Sequence, residues 1–116
     1  MTPTIVLFKD NPFLILGTPG GTTITTSVFQ TLIDIIEFDM TTSDAVNKPK
    51  FHHQWQPDIL YVEKGFPAPV IAGLEKMGYT VKEREPIGRT EVIRISRNGA
   101  IEAVADWRGD DDAEGY

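Results

Sequence analysis

The sequence predicts a layered α/β (α+β) protein in which helices cover a mixed or antiparallel sheet. Short β-branched or alternating runs predict strands, and segments with apolar residues at helical spacing interrupt them. The first strands are almost continuously apolar, which is typical of a sheet covered on at least one face. The predicted order, strand-strand-helix-helix-strand-helix-strand-strand-strand, also differs from a regular βαβ succession.

The first third of the chain is predicted to form a hairpin followed by a long helix. Residues 4–8 and 13–16 predict strands, and the Lys-Asp-Asn-Pro cluster at 9–12 predicts the turn between them. The helix should run from about Thr22 to Phe38. Its apolar stripe is broad, which favours a helix lying flat on a sheet; the stripe comprises Ile24, Val28, Phe29, Leu32, Ile33, Ile35 and Ile36.

The remaining elements are shorter. The run Thr-Ser-Asp-Ala-Val at 42–46 predicts a short capped helix. It should stop before Pro49, because residues that precede a proline avoid the helical conformation. An irregular segment should follow, and then come a strand at 59–63, a helix at 67–77 and a strand at 79–83. The Asn-Gly pair at 98–99 favours a hairpin between strands at 91–96 and 100–105. Residues 1–116 are predicted to be one domain whose residues 106–116 form a polar, acidic tail.

Composition excludes several classes of function. The formal net charge of −6 disfavours nucleic acid and anionic membranes as partners. The absence of cysteine excludes disulfides, thiolate catalysis and cysteine-based zinc sites. No apolar stretch reaches the roughly 20 residues of a membrane span. The first residues carry no secretion signal, so either the protein is cytoplasmic or its true start is missing.

The main candidate site is "GTPGG" at 17–21, between a predicted strand and a predicted helix. A helix start exposes unpaired backbone N–H groups with partial positive charge, and paired glycines let a substrate approach them. The pattern alone leaves a tight turn and an anion or oxyanion site equally open. A phosphate loop is disfavoured, because the Lys-Ser/Thr pair and the dinucleotide spacing are both missing.

Four other residues are predicted to have structural roles. In "FHHQW" at 51–55, neighbouring side chains point apart, so a metal shared by the two histidines is disfavoured and none is predicted. We predict instead that His53 packs and hydrogen-bonds while Trp55 anchors the irregular segment. Asp106 and Arg108 are predicted to form an ion pair that pins the tail. The acidic run at 110–112 is interpreted as solvated, since it lacks the ligand spacing of a calcium loop.

The residues indicate no nucleophile. The serines lack a catalytic context.

Five separated motifs resemble the γ-glutamyltranspeptidase family in order and spacing: "TPTIV", "GTPGG", "NKPKFHHQWQPD", "VEKGF" and "DWRGDDDAEGY". The match is to the C-terminal part of that family's small subunit. It implies the αββα fold of an N-terminal-nucleophile hydrolase, in which self-cleavage of a precursor exposes a threonine that attacks γ-glutamyl amides, typically glutathione.

Carried over to this chain, the resemblance makes the N–H groups of Gly20 and Gly21 the oxyanion hole, with Thr18 and Pro19 shaping the substrate loop. The nucleophilic threonine and the residues that hold the glutamyl α-groups should lie before residue 1, so the isolated chain is expected to be inactive. No cofactor is implied. The implied partners are the rest of the enzyme, namely the large subunit and the N-terminal part of the small subunit, and glutathione or another γ-glutamyl substrate. The implied location is periplasmic, secreted or cell-surface.

The sequence departs from the family pattern at two positions, and two other functions stay open. Lys50 stands where the family usually has arginine, and Trp107 where it often has proline; neither lies in the oxyanion motif. Relatives with this fold act on other amides, including β-lactam side chains. Alternatively, the chain is a non-catalytic module that binds an anion or a protein through its glycine loop. A missing half would expose sheet edges and apolar helix faces, which predicts self-association.

Overall fold

The computed structural model describes residues 1–115; Tyr116, the last residue of the predicted tail, lies outside this range. The described residues form two sheets, three α-helices and one 3₁₀ turn. The elements are β1 (Thr4–Phe8), β2 (Asn11–Gly17), the 3₁₀ turn (Gly21–Thr23), α1 (Ile24–Ile36), α2 (Thr42–Asn47), β3 (Phe51–His52), β4 (Leu60–Glu63), α3 (Ala68–Lys76), β5 (Val81–Arg84), β6 (Glu91–Ile95) and β7 (Ile101–Val104).

The larger sheet is antiparallel and has the strand order β1-β2-β6-β7. The predicted hairpin is confirmed, but it turns at Lys9 and Asp10, whose φ angles are 50° and 64°. Strand β2 therefore starts at Asn11 and not at Phe13. Two consecutive residues with positive φ match the right-handed twist of a hairpin. The predicted turn at 9–12 therefore contains the observed one but is two residues too long, because neither Lys9 nor Asp10 is a glycine that would mark the tight turn.

The core lies between one face of this sheet and helices α1 and α2. Its buried members are Leu14, Leu16, Ile35, Ala45, Val46 and Val92. Alternate residues of β2 point to this face, as the period of a strand requires. The predicted flat packing of α1 is only partly correct. Phe29 and Ile36 are 58% and 48% exposed.

The buried face of α1 is rotated relative to the predicted apolar stripe, so that it includes several polar residues. Ser27, Gln30, Thr31 and Asp34 are buried on it. Specific partners compensate for most of this burial: Thr31 Oγ1 donates to Ser27 O at 3.0 Å, and Asp34 pairs with Lys48 at 2.8 Å. Buried polar groups are tolerated when they are hydrogen-bonded. Apolar periodicity alone therefore identified only part of the buried face: Val28, Leu32 and Ile35 do pack in or against the core.

The smaller sheet has the order β3-β4-β5, with β4 and β5 parallel and joined through α3. Strand β3 has two residues and lies inside the segment predicted to be irregular. The Gln30 amide fixes it to α1, because it donates to Phe51 O at 2.7 Å and accepts from Phe51 N–H at 3.0 Å. A strand of two residues is too short to show the alternation of apolar and polar residues, so the sequence did not predict β3.

The far face of the larger sheet carries an apolar row. Ile5 pairs with Ile15, and Ile15 pairs with Ile93 across the strands. Ile5 and Ile93 are 59% and 39% exposed. This second apolar face accounts for the nearly continuous apolar strands in the sequence. None of the helices within residues 1–115 is long and apolar enough to cross a membrane.

Candidate functional site

The glycine loop, residues 17–21, connects β2 to the 3₁₀ turn that leads into α1. Gly20 and Gly21 have φ angles of 137° and 60°, a region that residues with side chains rarely adopt. A Cβ on Gly20 would collide with Thr23 Oγ1, whereas a Cβ on Gly21 would meet nothing within 4 Å. A side chain at Gly21 would thus extend into the open space in front of the loop.

Hydrogen bonds fix the direction of both glycine N–H groups. Thr18 Oγ1 donates to Pro19 O at 2.7 Å. In a planar trans peptide the N–H lies opposite the C=O, so the Gly20 N–H points away from the buried Thr18. In the same way, Gly20 O accepts from Thr23 N–H at 3.2 Å and from Thr23 Oγ1 at 2.9 Å, which turns the Gly21 N–H outward.

Both N–H groups are available to a ligand. Neither has a hydrogen-bond acceptor among residues 1–115. Two successive N–H groups at the start of a helical turn form a concave donor pair of the kind that binds anions. The geometry therefore favours the anion or oxyanion interpretation over a mere turn.

A cleft of about 470 Å³ adjoins the loop. Two cations line it, Arg84 and Arg89, although the chain as a whole carries a formal charge of −6. Arg89 is held by the tail, since its Nε lies 2.9 Å from Asp111 Oδ2. Sequence reasoning missed both arginines, because they lie far from the loop along the chain and belong to no recognisable motif.

Residues 87–90, which we call the support segment, lie beneath the loop. Arg89 N–H donates to Thr18 Oγ1 at 2.7 Å. Gly88 has a φ of 72°, and a Cβ on it would lie 2.6 Å from Ser27 Oγ on α1. The N–H groups of Ile87 and Thr90 donate to the carboxylates of Glu63 and Asp106. The segment is therefore fixed from three directions.

Those two carboxylates belong to a buried group that we call the tail cluster: Glu63, Asp106 and Arg108. Arg108 donates to both Glu63 oxygens, at 2.7 and 2.6 Å. It also forms the predicted ion pair with Asp106, at 2.9 Å. The Arg108 side chain is only 1% exposed. Sequence reasoning found the Asp106 contact and missed Glu63, whose signal was a carboxylate ending an apolar strand.

The cluster perturbs the pKa values of its members. Burial by itself would raise the pKa of Glu63, but hydrogen bonds from Arg108 and from the N–H groups of Ile87 and Lys50 hold it below its usual value. The nearby Lys50 is also buried, and its Nζ donates to Val46 O at 2.6 Å. Burial, together with the positive charge of Arg108, lowers the Lys50 pKa to about 8.

Of the two predictions for the "FHHQW" segment, that for Trp55 is wrong and that for His53 holds in part, since His53 hydrogen-bonds but is not the fully buried ring. The buried ring is His52, which hydrogen-bonds Thr26 Oγ1 at 2.7 Å and Gln54 Oε1 at 3.0 Å. His53 is half-buried and pairs with the exposed Asp58 at 2.9 Å. Trp55 is 78% exposed and has a φ of 72°, so it lies at an outer turn and its side chain is not the predicted anchor. Within residues 1–115, no three His, Asp or Glu side chains are grouped to hold a metal ion.

Comparison with known proteins decides the family. The family model for Gamma-glutamyltranspeptidase matches residues 1–116. This chain belongs to the γ-glutamyltranspeptidase family. It is 39% identical over 112 residues to the glutathione hydrolase proenzyme of Escherichia coli, and 38% identical over 108 residues to that of Bacillus subtilis. These alignments cover 97% and 91% of this chain but only 19% and 18% of the two relatives.

Solved structures confirm the predicted fold of an N-terminal-nucleophile hydrolase. The γ-glutamyltranspeptidase T380A mutant of Helicobacter pylori matches 94% of this chain and 61% of its own, with 40% identity and a TM-score of 0.88. The enzyme of Pseudomonas nitroreducens complexed with L-DON matches 100% and 62%, with 33% identity and a TM-score of 0.91. A cephalosporin acylase from Bacillus halodurans has a TM-score of 0.87 at 21% identity, which shows a shared fold only.

Proposed function

We propose that this chain supplies the oxyanion hole of an enzyme that hydrolyses or transfers γ-glutamyl groups from glutathione and related amides. The observation that carries the proposal is the pair of outward-pointing N–H groups on Gly20 and Gly21, which have no acceptor within residues 1–115. Membership of the γ-glutamyltranspeptidase family supports the choice of substrate class. The nucleophile is an N-terminal threonine that self-cleavage exposes upstream of residue 1.

The donor pair acts on charge that develops during the reaction. When the threonine oxygen attacks the γ-carbonyl carbon, the carbonyl oxygen becomes an anion, and both glycine N–H groups donate to it. The C–N bond then breaks, the amine leaves with a proton, and an acyl-enzyme remains. Water or an incoming amine attacks that ester and forms a second oxyanion at the same place. Because the donors bind the anion more tightly than the neutral carbonyl, they lower the barrier of both steps.

Two features support a role as part of a larger enzyme. The aligned region spans 19% of the Escherichia coli relative, so other regions of such a protein must supply the nucleophile and the rest of the substrate pocket. The row formed by Ile5, Ile15 and Ile93 is apolar and incompletely covered. Apolar faces of this kind usually pack against a partner. The proposed partners are the large subunit and the N-terminal part of the small subunit.

An assay with a γ-glutamyl p-nitroanilide tests the proposal on three preparations. These are the isolated chain, the chain joined to its upstream coding region and self-cleaved, and the same protein with the new N-terminal threonine changed to alanine. Only the second should release p-nitroaniline, because an oxyanion hole has no anion to bind until a nucleophile attacks.

Turnover by the isolated chain above a heat-killed control would contradict the proposal. So would an inert self-cleaved protein. A self-cleaved protein that ignores the anilide and cleaves a β-lactam side chain would make it an acylase of the same fold. A chain with no self-cleaving upstream region that still binds anions would make it a binding module.

A further inference from the structure

The position of the glycine loop depends on residues that are distant in sequence and buried. Thr18 Oγ1 holds Pro19 O and in turn accepts from Arg89 N–H of the support segment. The two amide groups that flank this contact are bound by carboxylates, since Glu63 accepts from Ile87 N–H and Asp106 Oδ2 accepts from Thr90 N–H at 2.7 Å. Hydrogen bonds, linked through the backbone of the support segment, thus join the tail cluster to the peptide that presents Gly20.

The carboxylate of Glu63 is itself held rigidly. Both oxygens accept from the Arg108 guanidinium in a bidentate pair, and Oε2 also accepts from Lys50 N–H at 2.8 Å. Arg108 is fixed by two carbonyls, Val46 O at 2.9 Å and Lys48 O at 2.8 Å. Planar bidentate pairs restrict orientation as well as distance. Glu63 therefore cannot shift without moving its partners or the support segment.

The support segment has little freedom to move independently of the loop. Ile87 and Thr90 are fully buried. Gly88 lies against α1 so closely that an added Cβ would be 2.6 Å from Ser27 Oγ and 2.9 Å from Thr18 Oγ1. A displacement of the Ile87 amide is thus transmitted to Thr18 and to the direction of the Gly20 N–H.

We propose that Glu63 is a positioning residue for the oxyanion hole: it holds Ile87 N–H in place, and the support segment and Thr18 carry that constraint to the Pro19–Gly20 peptide. Glu63 touches neither substrate nor nucleophile in this role. The role presupposes the γ-glutamyl transfer function proposed above and adds a specific cause for the accuracy of the donor pair.

The test uses the whole self-cleaved enzyme and Glu63→Gln, with Glu75→Gln on the exposed side of α3 as the matched control. The glutamine loses the charge and directs an N–H₂ group at a donor. We expect kcat to fall about ten- to a hundred-fold with little change in KM, because a small misplacement of a catalytic group has an effect of this size. The control should keep both parameters.

Inhibitors separate positioning from general damage. A γ-glutamyl boronate forms a tetrahedral anion on the nucleophile, so its Ki should rise by the same factor as kcat/KM falls. The Ki of glutamate, which forms no such anion, should stay constant. A merely structural role would weaken both inhibitors or lower only the yield of self-cleaved enzyme.

Thr18→Val and Thr18→Ser provide the second test and keep the proposal falsifiable if Glu63→Gln fails to mature. Valine removes the hydroxyl that joins Arg89 to Pro19, whereas serine keeps it. We expect the valine variant to lose kcat and boronate affinity together, and the serine variant to recover most of both.

An active, unchanged Glu63→Gln enzyme, or equal activity of Thr18→Val and Thr18→Ser, would overturn the positioning role. If the unsubstituted enzyme releases no γ-glutamyl product, the proposed function fails instead. If Gly21→Val is inactive while Glu63→Gln remains unchanged, only the positioning role fails.

Discussion

The glycine loop and the tail cluster differ in whether their hydrogen-bonding groups have partners. In the loop, two N–H donors point outward with no acceptor within residues 1–115. In the tail cluster, each carboxylate oxygen of Glu63 and Asp106 has at least one donor, and Arg108 is almost fully enclosed. The contrast separates two tasks. Unpaired donors are available to stabilise a transient charge, while fully paired charges fix a backbone in place.

The largest effect should come from removing the cation of the tail cluster. Arg108→Met leaves two buried carboxylates without their partner, which typically costs about 3–5 kcal/mol of stability. Denaturant unfolding of the whole enzyme measures the loss. Arg97→Met, in the exposed hairpin turn, should change stability by less than about 0.5 kcal/mol. Equal losses in the two variants would show that the cluster is no more important than a surface charge.

Filling the space in front of the loop should have the next largest effect. Gly21→Val imposes strain at a φ of 60° and crowds the oxyanion position, and the loss of one such donor typically lowers kcat about a hundred- to a thousand-fold. Gly99→Val is the matched control, since Gly99 has a φ of 85° and open space but lies in a distant hairpin. It should lose stability and keep kcat. An unchanged kcat in self-cleaved Gly21→Val enzyme would refute the oxyanion role.

A smaller effect, dependent on pH, should arise at the edge of the tail cluster. The Lys50 pKa is about 8 in the folded chain and about 10.5 when unfolded. Between these values the unfolded chain retains a proton that the folded chain has released, so this lysine makes stability rise with pH. Relative to Lys50→Met, the free energy of unfolding of the unsubstituted enzyme should rise by about 1–3 kcal/mol from pH 8 to pH 10.5.

Urea midpoints at the two pH values measure this gain. Lys82→Met, at an exposed position of β5, is the control and should leave the difference between the two pH values unchanged. Parallel stability curves for the unsubstituted and Lys50→Met enzymes would show that burial does not depress the Lys50 pKa.

The sequence predicted the position of the loop because the information for it is contiguous. A strand, a glycine pair and a helix follow one another directly, and the family motif coincides with them. The tail cluster was predicted only where its partners are close, as for Asp106 and Arg108. The Glu63 contact spans 45 positions and the Arg89–Thr18 contact spans 71. No local pattern encodes such a pairing.

Helix α1 and the histidine pair show a second limit of prediction from sequence, which concerns buried polar residues. Apolar spacing favoured a face containing Phe29 and Ile36, yet these are exposed, while Gln30 and Asp34 are buried with tertiary partners. The same applies to His52, which is buried because Thr26 and Gln54 satisfy its ring nitrogens. Burial of a polar residue depends on partners that fold into position, and single-residue hydrophobicity carries no information about them.

The spacing of the Arg108 contacts has a consequence for how the protein is made. Arg108 binds Val46 O and Glu63 across 62 and 45 positions, so these bonds close only after residue 108 has left the ribosome. Contacts this distant form late, after local helices and hairpins. During synthesis the glycine loop emerges long before the residues that hold its support segment. A nascent chain therefore displays the donor pair first, and the pair acquires its final alignment only after residue 108 has emerged.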